Sequence, residues 1–328
     1  EIDDTHPQFE LKELLEYLHV DRGEVADLCP RVFAEREGLI SEVMRPASTT
    51  DKWLMLKGRG VRFPAVEGIK LVDCADVRQE ALSIALIMRE VLETPEKTAA
   101  LVTPDRNLAR RVAGELERWN IKVDDSAGRP LSLTPVGCFL RLLLKACSQQ
   151  AKRVDILSLL KHPLCGLGQK YGDVRASVRQ VEQSVWRAGE RGDDSDLLQC
   201  FAEKTAALRS LLQQSKVDLS VLIREHLQTA EVMAATEDKE GNALLWRGDA
   251  GEAASVFFSD WLEYAEILGE VEPFDYLGLS EVMMSGVMVR PKYGTHPRLR
   301  ILGPIEARLT HFDVMILGEV NEGVWPQA

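Results

Sequence analysis

Two hydrophobic periodicities run along this chain, and their order limits the fold more than any single motif does. Residues 69–74 read as a short strand. Asp76 and Gln79 follow at capping-box spacing, and an apolar run over 81–92 reads as a helix. Residues 99–103 are a second strand candidate. Thr103-Pro104 then offers an N-cap and a first-turn proline, and Leu108, Val112, Leu116 and Trp119 fall on one helical stripe. Residues 121–123 are a third strand candidate. Strands alternating with helices predict a parallel α/β layer. From Thr134 to about residue 285 the spacing is almost wholly helical. Thr134-Pro135 opens the first helix, with Phe139, Leu142 and Leu143 on its inner face. Later helical segments centre on 153–161, 173–189, 195–214, 217–229, 252–268 and 276–286. Strand character returns at 298–302 and 313–317. The expected fold is therefore α/β, a parallel-sheet domain interrupted by a mainly α-helical insertion. Its expected parts are a helical N-terminal segment and connector at 1–68, an α/β domain at 69–133 plus 290–328, and the helical insertion at 134–289.

The N-terminal part is less regular. Leu11, Leu14, Leu15, Leu18, Val25 and Leu28 are helix-spaced, whereas Pro30, Pro46, Gly58, Gly60, Pro64 and Gly68 break the pattern that follows. The chain begins at Glu1 and stops at Ala328, just after a strand-like run and a turn. Both ends read as cuts in a longer protein.

Charge and motif content remove several function classes. With 328 residues and 45% hydrophobic residues, the chain can bury a sizeable core. A formal net charge of -12 excludes a surface that is basic throughout, although a local basic groove remains open. Cys29, Cys74, Cys138, Cys147, Cys165 and Cys200 form no Cys-x-x-Cys pair and read as reduced thiols. No apolar run is long enough to span a membrane and there is no signal peptide, so the expected location is cytoplasmic. No phosphate-cradling Gly-x-x-x-x-Gly-Lys-[Ser/Thr] occurs, nor His-Glu-x-x-His, nor Gly-x-Ser-x-Gly. The six histidines lack ligand spacing and read as surface or hydrogen-bonded structural groups. Asp124 and Asp125 read as a turn and cap into Ser126-Ala127-Gly128, because neighbouring strand residues face opposite sides. Gly58-Arg59-Gly60 reads as a plain loop.

Three segments together resemble the second motor domain, the RecA-like 2A-type domain, of UvrD-like superfamily 1 helicases. The first runs from Ile69-Lys-Leu-Val-Asp-Cys to Gln79-Glu-Ala. The second, Ala100-Leu-Val-Thr-Pro-Asp-Arg-Asn-Leu-Ala-Arg-Arg, resembles helicase motif IV, and Trp119-Asn-Ile-Lys-Val-Asp-Asp resembles the exit into a 2B-type insertion. The third, Ile301-Leu-Gly-Pro-Ile-Glu-Ala-Arg-Leu-Thr-His-Phe-Asp, resembles motif V. Val102-Thr-Pro-Asp-Arg, Leu160-Lys-His-Pro-Leu, Gly303-Pro-Ile-Glu-Ala-Arg and Asn321-Glu-Gly-Val-Trp-Pro narrow the resemblance to AddB subunits of bacterial AddAB helicase–nucleases, of the alphaproteobacterial type.

The resemblance implies DNA end processing for recombination, with DNA ends and an AddA-like helicase–nuclease subunit as partners and no membrane. Whole AddB-like chains carry an upstream motor-like domain and a downstream nuclease. ATP, magnesium and an iron–sulfur cluster belong to the full-length family, and none is expected in this piece. It also implies where nucleotide contacts are lost. Pro104 stands at the motif IV arginine, and a proline supplies neither charge nor donor. In motif V, Gly303 stands at the threonine, Arg308 at the lysine, Leu309 at the glycine and His311 at the glutamate. The expectation is a motor-like domain that does not hydrolyse ATP, with no catalytic residue. Candidate DNA contacts are Thr103, Arg106, Arg110, Arg129, Arg308 and Trp325. Arg308 could instead pair with Glu306 or Asp313, and Gly128-Arg129-Pro130 could be only a turn. The competing reading is a scaffold whose acidic helical part docks the AddA-like partner without touching DNA.

Overall fold

The structure, a computed structural model, describes residues 9–26, 34–43, 45, 49–58, 66–187 and 195–325. The chain divides into two compact units, one ending at Asp73 and one beginning at Cys74.

The first unit holds α1 (Phe9–Tyr17), α2 (Ala34–Val43) and α3 (Lys52–Gly58). The helix expected across the first 28 residues ends early. His19 takes a left-handed backbone (φ 56°), and the Val20 N–H turns back to the Leu15 carbonyl at 3.0 Å. Asp21 then caps a short 3-10 turn, Arg22–Glu24, in a reciprocal capping box with Glu24. Leu28, Cys29, Pro30, Pro46, Arg59, Gly60 and Pro64 lie outside the described residues.

Residues 69–74 are not a strand. They join no ladder, and Leu71 is almost fully exposed. An alternating apolar pattern makes a strand only where a neighbouring strand accepts its hydrogen bonds.

In the second unit a four-stranded parallel sheet is built from both ends of its sequence. The strands are β1 (Ala99–Val102), β2 (Asp124–Asp125), β7 (Leu299–Leu302) and β8 (Val314–Leu317), in the order β2-β7-β1-β8. β1 is central, pairing Ala99 with both Leu299 and Val314. The third strand falls at 124–125 rather than 121–123. The Lys122 carbonyl accepts from the His296 N–H instead, so ladder pairing with β7 starts only at Asp124.

Two helices, α4 (Val77–Leu92) and α5 (Arg106–Glu117), share one apolar core with this sheet. Ile84, Met88, Leu101, Leu108, Val112, Leu116 and Ile301 lie at its centre. Asp76 caps α4 through the N–H groups of Arg78 and Gln79, and Gln79 reaches back to the Ala75 N–H. The N-cap of α5 is Asp105, not Thr103, which lies two residues outside the helix.

Between β2 and β7 the chain is mainly helical: α6 (Pro135–Cys147), α7 (Arg153–Leu160), α8 (Tyr171–Val181), α9 (Asp196–Leu212), α10 (Leu219–Ala234), α11 (Gly241–Leu245), α12 (Gly248–Leu268) and α13 (Pro273–Ser285). These helices surround a separate core centred on Phe139, Leu140, Leu143 and Leu144 of α6. Thr134 caps α6 as the Thr-Pro pair predicts. α8 passes into a π-turn, Glu182–Arg187, and the loop expected after Gly189 lies outside the described residues. α11 begins directly after a loop at 236–240. Two small antiparallel ribbons join residues distant in sequence: β3 (Arg129–Pro130) with β6 (Met288–Val289), and β4 (Val217–Asp218) with β5 (Glu270–Val271).

His226 ties three helices together inside the helical core. It is fully buried, with Nε2 3.1 Å from the Leu140 carbonyl and Nδ1 2.9 Å from the Tyr276 hydroxyl. A carbonyl can only accept, so Nε2 carries the proton and Nδ1 accepts from the tyrosine. Desolvation lowers the His226 pKa to about 4, against the smaller opposing effect of the Leu140 carbonyl. Burial likewise pushes the Cys147 and Cys165 thiols up to about 12. Among the described residues no helix is long and apolar enough to cross a membrane.

The His226 shift has a definite sign. Above its unfolded pKa of 6.5 the ring is neutral in both states and costs nothing. As pH falls from there toward 4, only the unfolded chain gains the proton, so stability drops. The full loss is about 3 kcal/mol at 1.36 kcal/mol per pKa unit. Urea denaturation at pH 7 and pH 5 is expected to show that decline in the wild type, and a flatter dependence in His226→Gln.

Candidate functional site

In open parallel sheets, loops at the carboxyl ends of the strands form the functional edge. Here that edge gathers Thr103–Arg106 after β1, Asp125–Gly128 after β2, Gly303 after β7 and Gly318–Glu319 after β8. The four loops meet because β1 is flanked by strands from the far end of the chain.

The edge holds more acid than base. Arg106, in the first turn of α5, places one guanidinium nitrogen against both carboxylate oxygens of Asp125. Asp125 also accepts from the Ala127 N–H at 3.2 Å, and its carbonyl accepts from Gly128 at 3.0 Å. This is the turn expected for the Asp124-Asp125 pair, closed at Gly128 by a positive φ of 71°.

Beside it, Glu319 lies against Asp105 and Glu80. The Glu319 N–H donates to a Glu80 carboxylate oxygen at 2.7 Å. Burial, then Asp105, then the charge of Glu80 hold the Glu319 carboxyl above the ordinary range. At Asp105 burial works against ionisation. The Asn107 N–H, the Glu319 carboxyl, the Leu108 N–H and the Arg106 charge together outweigh it, so its pKa is lowered. Asp105 is thus the more readily ionised of the two carboxyls and Glu319 the less.

The positions expected to touch DNA fare differently. Thr103 is fully buried. Its N–H is bound to the Leu302 carbonyl, and its hydroxyl accepts from the Asp105 N–H at 3.1 Å. It is a turn residue and offers no surface for a phosphate. Arg106 is exposed but committed to Asp125, so its charge is largely neutralised. Arg110 is exposed and approaches only Asn107, at 3.3 Å.

Arg129 is exposed on the β3–β6 ribbon, beside Arg290, a residue that sequence reasoning missed. The Arg290 stem packs over Gly128, where a side chain would collide with it. A signal existed in the continuous apolar Val287-Met288-Val289 run that precedes Arg290. Arg308 is exposed and makes no ion pair among the described residues. Of its two expected partners, Asp313 is engaged elsewhere, accepting from the N–H and hydroxyl of Thr98 at 2.8 Å each.

Trp325 is half-buried, its indole N–H donating to the Gly318 carbonyl at 3.1 Å. It is less open to solvent than Trp53, which is exposed. No hydrogen bond or ion pair among the described residues joins Arg110, Arg129 and Arg308 to one another.

The positions that the resemblance assigns to nucleotide contact are equally clear. Pro104 is half-buried beside β1, and a side chain at Gly303 would collide with the Glu306 carboxylate. Leu309 is fully exposed with φ 60°, a left-handed conformation that favours glycine. His311 is exposed. Pro104, Gly303 and Leu309 contribute no charged side chain to this edge. Among the described residues no group of three histidine, cysteine or acidic side chains is placed to hold a metal. His162 and His296 each accept from a nearby backbone N–H, at 3.2 and 3.3 Å, and are structural.

Two substitutions test this geometry. Leu309→Gly loses no packing and removes left-handed strain, so urea denaturation is expected to show a gain of roughly 0.5–1 kcal/mol, net of the added unfolded-state freedom. Leu309→Val is expected to lose stability, because a β-branched residue tolerates positive φ least. The raised Glu319 pKa means its ionisation costs stability as pH climbs past the ordinary carboxylate value. Glu319→Gln is therefore expected to raise the melting temperature at pH 7, with the gain fading at pH 4. No protein-family model matches this chain, and no curated protein matches it.

Proposed function

We propose that this chain is a portion of an AddB-type subunit of a cytoplasmic helicase–nuclease that processes DNA ends for double-strand break repair by recombination. In this reading it works beside an AddA-like subunit. Its α/β part is a 2A-like motor domain, and residues 134–289 are a 2B-like helical insertion. The α/β part guides DNA and does not hydrolyse ATP.

The observation that carries the reading is Leu309. The family resemblance puts a glycine there, and the backbone keeps the conformation a glycine would favour (φ 60°) although the side chain is leucine. A left-handed leucine with no packing to hold it is unusual unless the surrounding loop demands that conformation. The loop is the crossover from β7 to β8, which must pass β1 to rejoin the sheet. A retained loop with a changed residue is what an eroded motif V would leave.

The charges at the carboxyl edge support the silent-motor half of the proposal. Among the described residues the Arg106 guanidinium is engaged by Asp125, while Asp105, Glu80 and Glu319, one of whose carboxylate oxygens is buried without a partner, bring acid rather than cation to this edge. For DNA, the best-placed cations are Arg129 and Arg290 on the β3–β6 ribbon. Both are exposed, without ion pairs among the described residues, and close to the Gly128 turn. Guanidinium groups beside a glycine turn suit backbone phosphates.

The test is titration of single-stranded and end-bearing duplex DNA at two salt concentrations. Binding is expected to weaken with salt. In Arg129→Ala/Arg290→Ala it is expected to fall for every sequence, with the salt slope reduced by about one to two. Absence of binding at low salt would sink the DNA reading. A saturable ATP-binding signal would contradict the silent edge.

A further inference from the structure

The longest charge asymmetry in the chain lies far from the sheet edge. Between Arg247 and Arg290 there is no lysine or arginine, yet the stretch carries nine acidic residues. Two of these are paired, Glu252 with Lys292 and Glu281 with Arg141. Glu263, Glu266, Glu270, Glu272 and Asp275 have no ion pair among the described residues.

The same stretch exposes large apolar side chains at one junction of the helical part. Tyr264, Ile267 and Leu268 occupy the last turns of α12, with Ile267 81% exposed. Phe274, 71% exposed, stands in the first turn of α13, and Val221 in the first turn of α10. The β4–β5 ladder and the Leu219 N–H to Gly269 carbonyl bond, 3.0 Å, hold these three helix ends together. On α12 the core takes Phe258, Trp261 and Ala265. Helical geometry then puts Asp260, Glu263, Tyr264 and Ile267 on the outward side. The ladder also sets Asp218 directly opposite Glu270. Asp218 is engaged as the N-cap of α10, accepting from the Ser220 N–H and hydroxyl and the Val221 N–H, so Glu270 carries the uncompensated charge of this like-charged pair.

We propose that this junction is a docking surface for a basic amphipathic protein segment. Its apolar side chains would cover Ile267, Leu268 and Phe274, and its lysines or arginines would meet Glu263, Glu266, Glu270 and Asp218. The charge decides against other occupants. A second copy of the chain would bring the same unpaired carboxylates against their equals across an isologous contact. Nucleic acid and anionic lipid would meet the exposed Lys216 and Arg224 outnumbered by Glu263, Glu266, Glu270, Glu272 and Asp275. An apolar group rimmed by acid matches a partner that carries both apolar and basic residues. The proposal does not depend on the DNA reading.

The probe is a synthetic leucine–lysine amphipathic helix of about five turns, compared with a leucine–glutamate helix and a lysine-only peptide. Calorimetry is expected to show binding of the leucine–lysine helix alone, with amide-exchange protection over residues 262–276. Ile267→Ser and Phe274→Ser, both at exposed positions, are each expected to weaken it about tenfold. Glu266→Lys/Glu270→Lys is expected to switch preference toward the leucine–glutamate helix. Equal binding by the lysine-only peptide, protection elsewhere, or unchanged affinity in Ile267→Ser would overturn the proposal. So would self-association of the chain abolished by Ile267→Ser. DNA titration of that variant is expected to match wild type, which separates this surface from the sheet edge.

Discussion

The second unit depends on the hydrogen bonds that β1 makes to strands arriving from the other end of its sequence. β1 has β7 on one side and β8 on the other, and both pairings begin at Ala99. Closing a loop of about 200 residues costs on the order of 5 kcal/mol in chain entropy. That cost is met before any ladder bond forms, so the intervening chain must bring its own ends together. The helical part does this with a core of its own. The β3–β6 ribbon draws residue 129 next to residue 289. At the amino ends of the strands, Arg298 donates to the carbonyls of Thr94, Lys97 and Leu92, and Asp313 clamps Thr98. β7 and β8 are thereby registered against the turn that precedes β1. The carboxyl edge can then be assembled from four loops distant in sequence.

How much of this was legible follows from what each element needs. β1 and β8 are continuous apolar runs, β7 is one broken only by Arg300, and Thr134-Pro135 is a local cap, so both kinds of feature stand in the sequence itself. The long helices between residues 135 and 285 follow from spacing alone. The run at 69–74 looks just as strand-like, but strand formation is a property of the neighbour, and both sides of β1 are already filled. The two-residue ribbons are too short to show a period, and only the folded chain brings their partners together.

The site was legible in its polar turn chemistry and illegible in its pairings. The Asp124-Asp125 turn could be read because an aspartate bonds its own backbone two residues on. The Arg106–Asp125 pair could not, since it joins the ends of two strands through the sheet. Thr103 was misplaced by two residues. Thr and Asp are both good caps, and the geometry of the loop after β1 chose Asp105 and buried the threonine. Glu319 was invisible for the same kind of reason. Its raised pKa arises from burial and from Asp105 and Glu80, which approach it only once β8 lies beside β1.

These pairings bear on the proposal that the edge is silent toward nucleotide. An anion-binding edge needs N–H groups or cations left unsatisfied until the ligand arrives. Here the first helical N–H groups of α5 are taken by the Asp105 carboxylate, the Arg106 guanidinium by Asp125, and the Glu319 N–H by Glu80. The donors at the mouth of the sheet are met by side chains from within the fold. Adding one arginine at position 104 would therefore place a single cation among acids already engaged, and the nearest of them would compete with phosphate for it. A working nucleotide edge would require several of these contacts to be given up together, and they are the contacts that begin α5 and close the turn after β2.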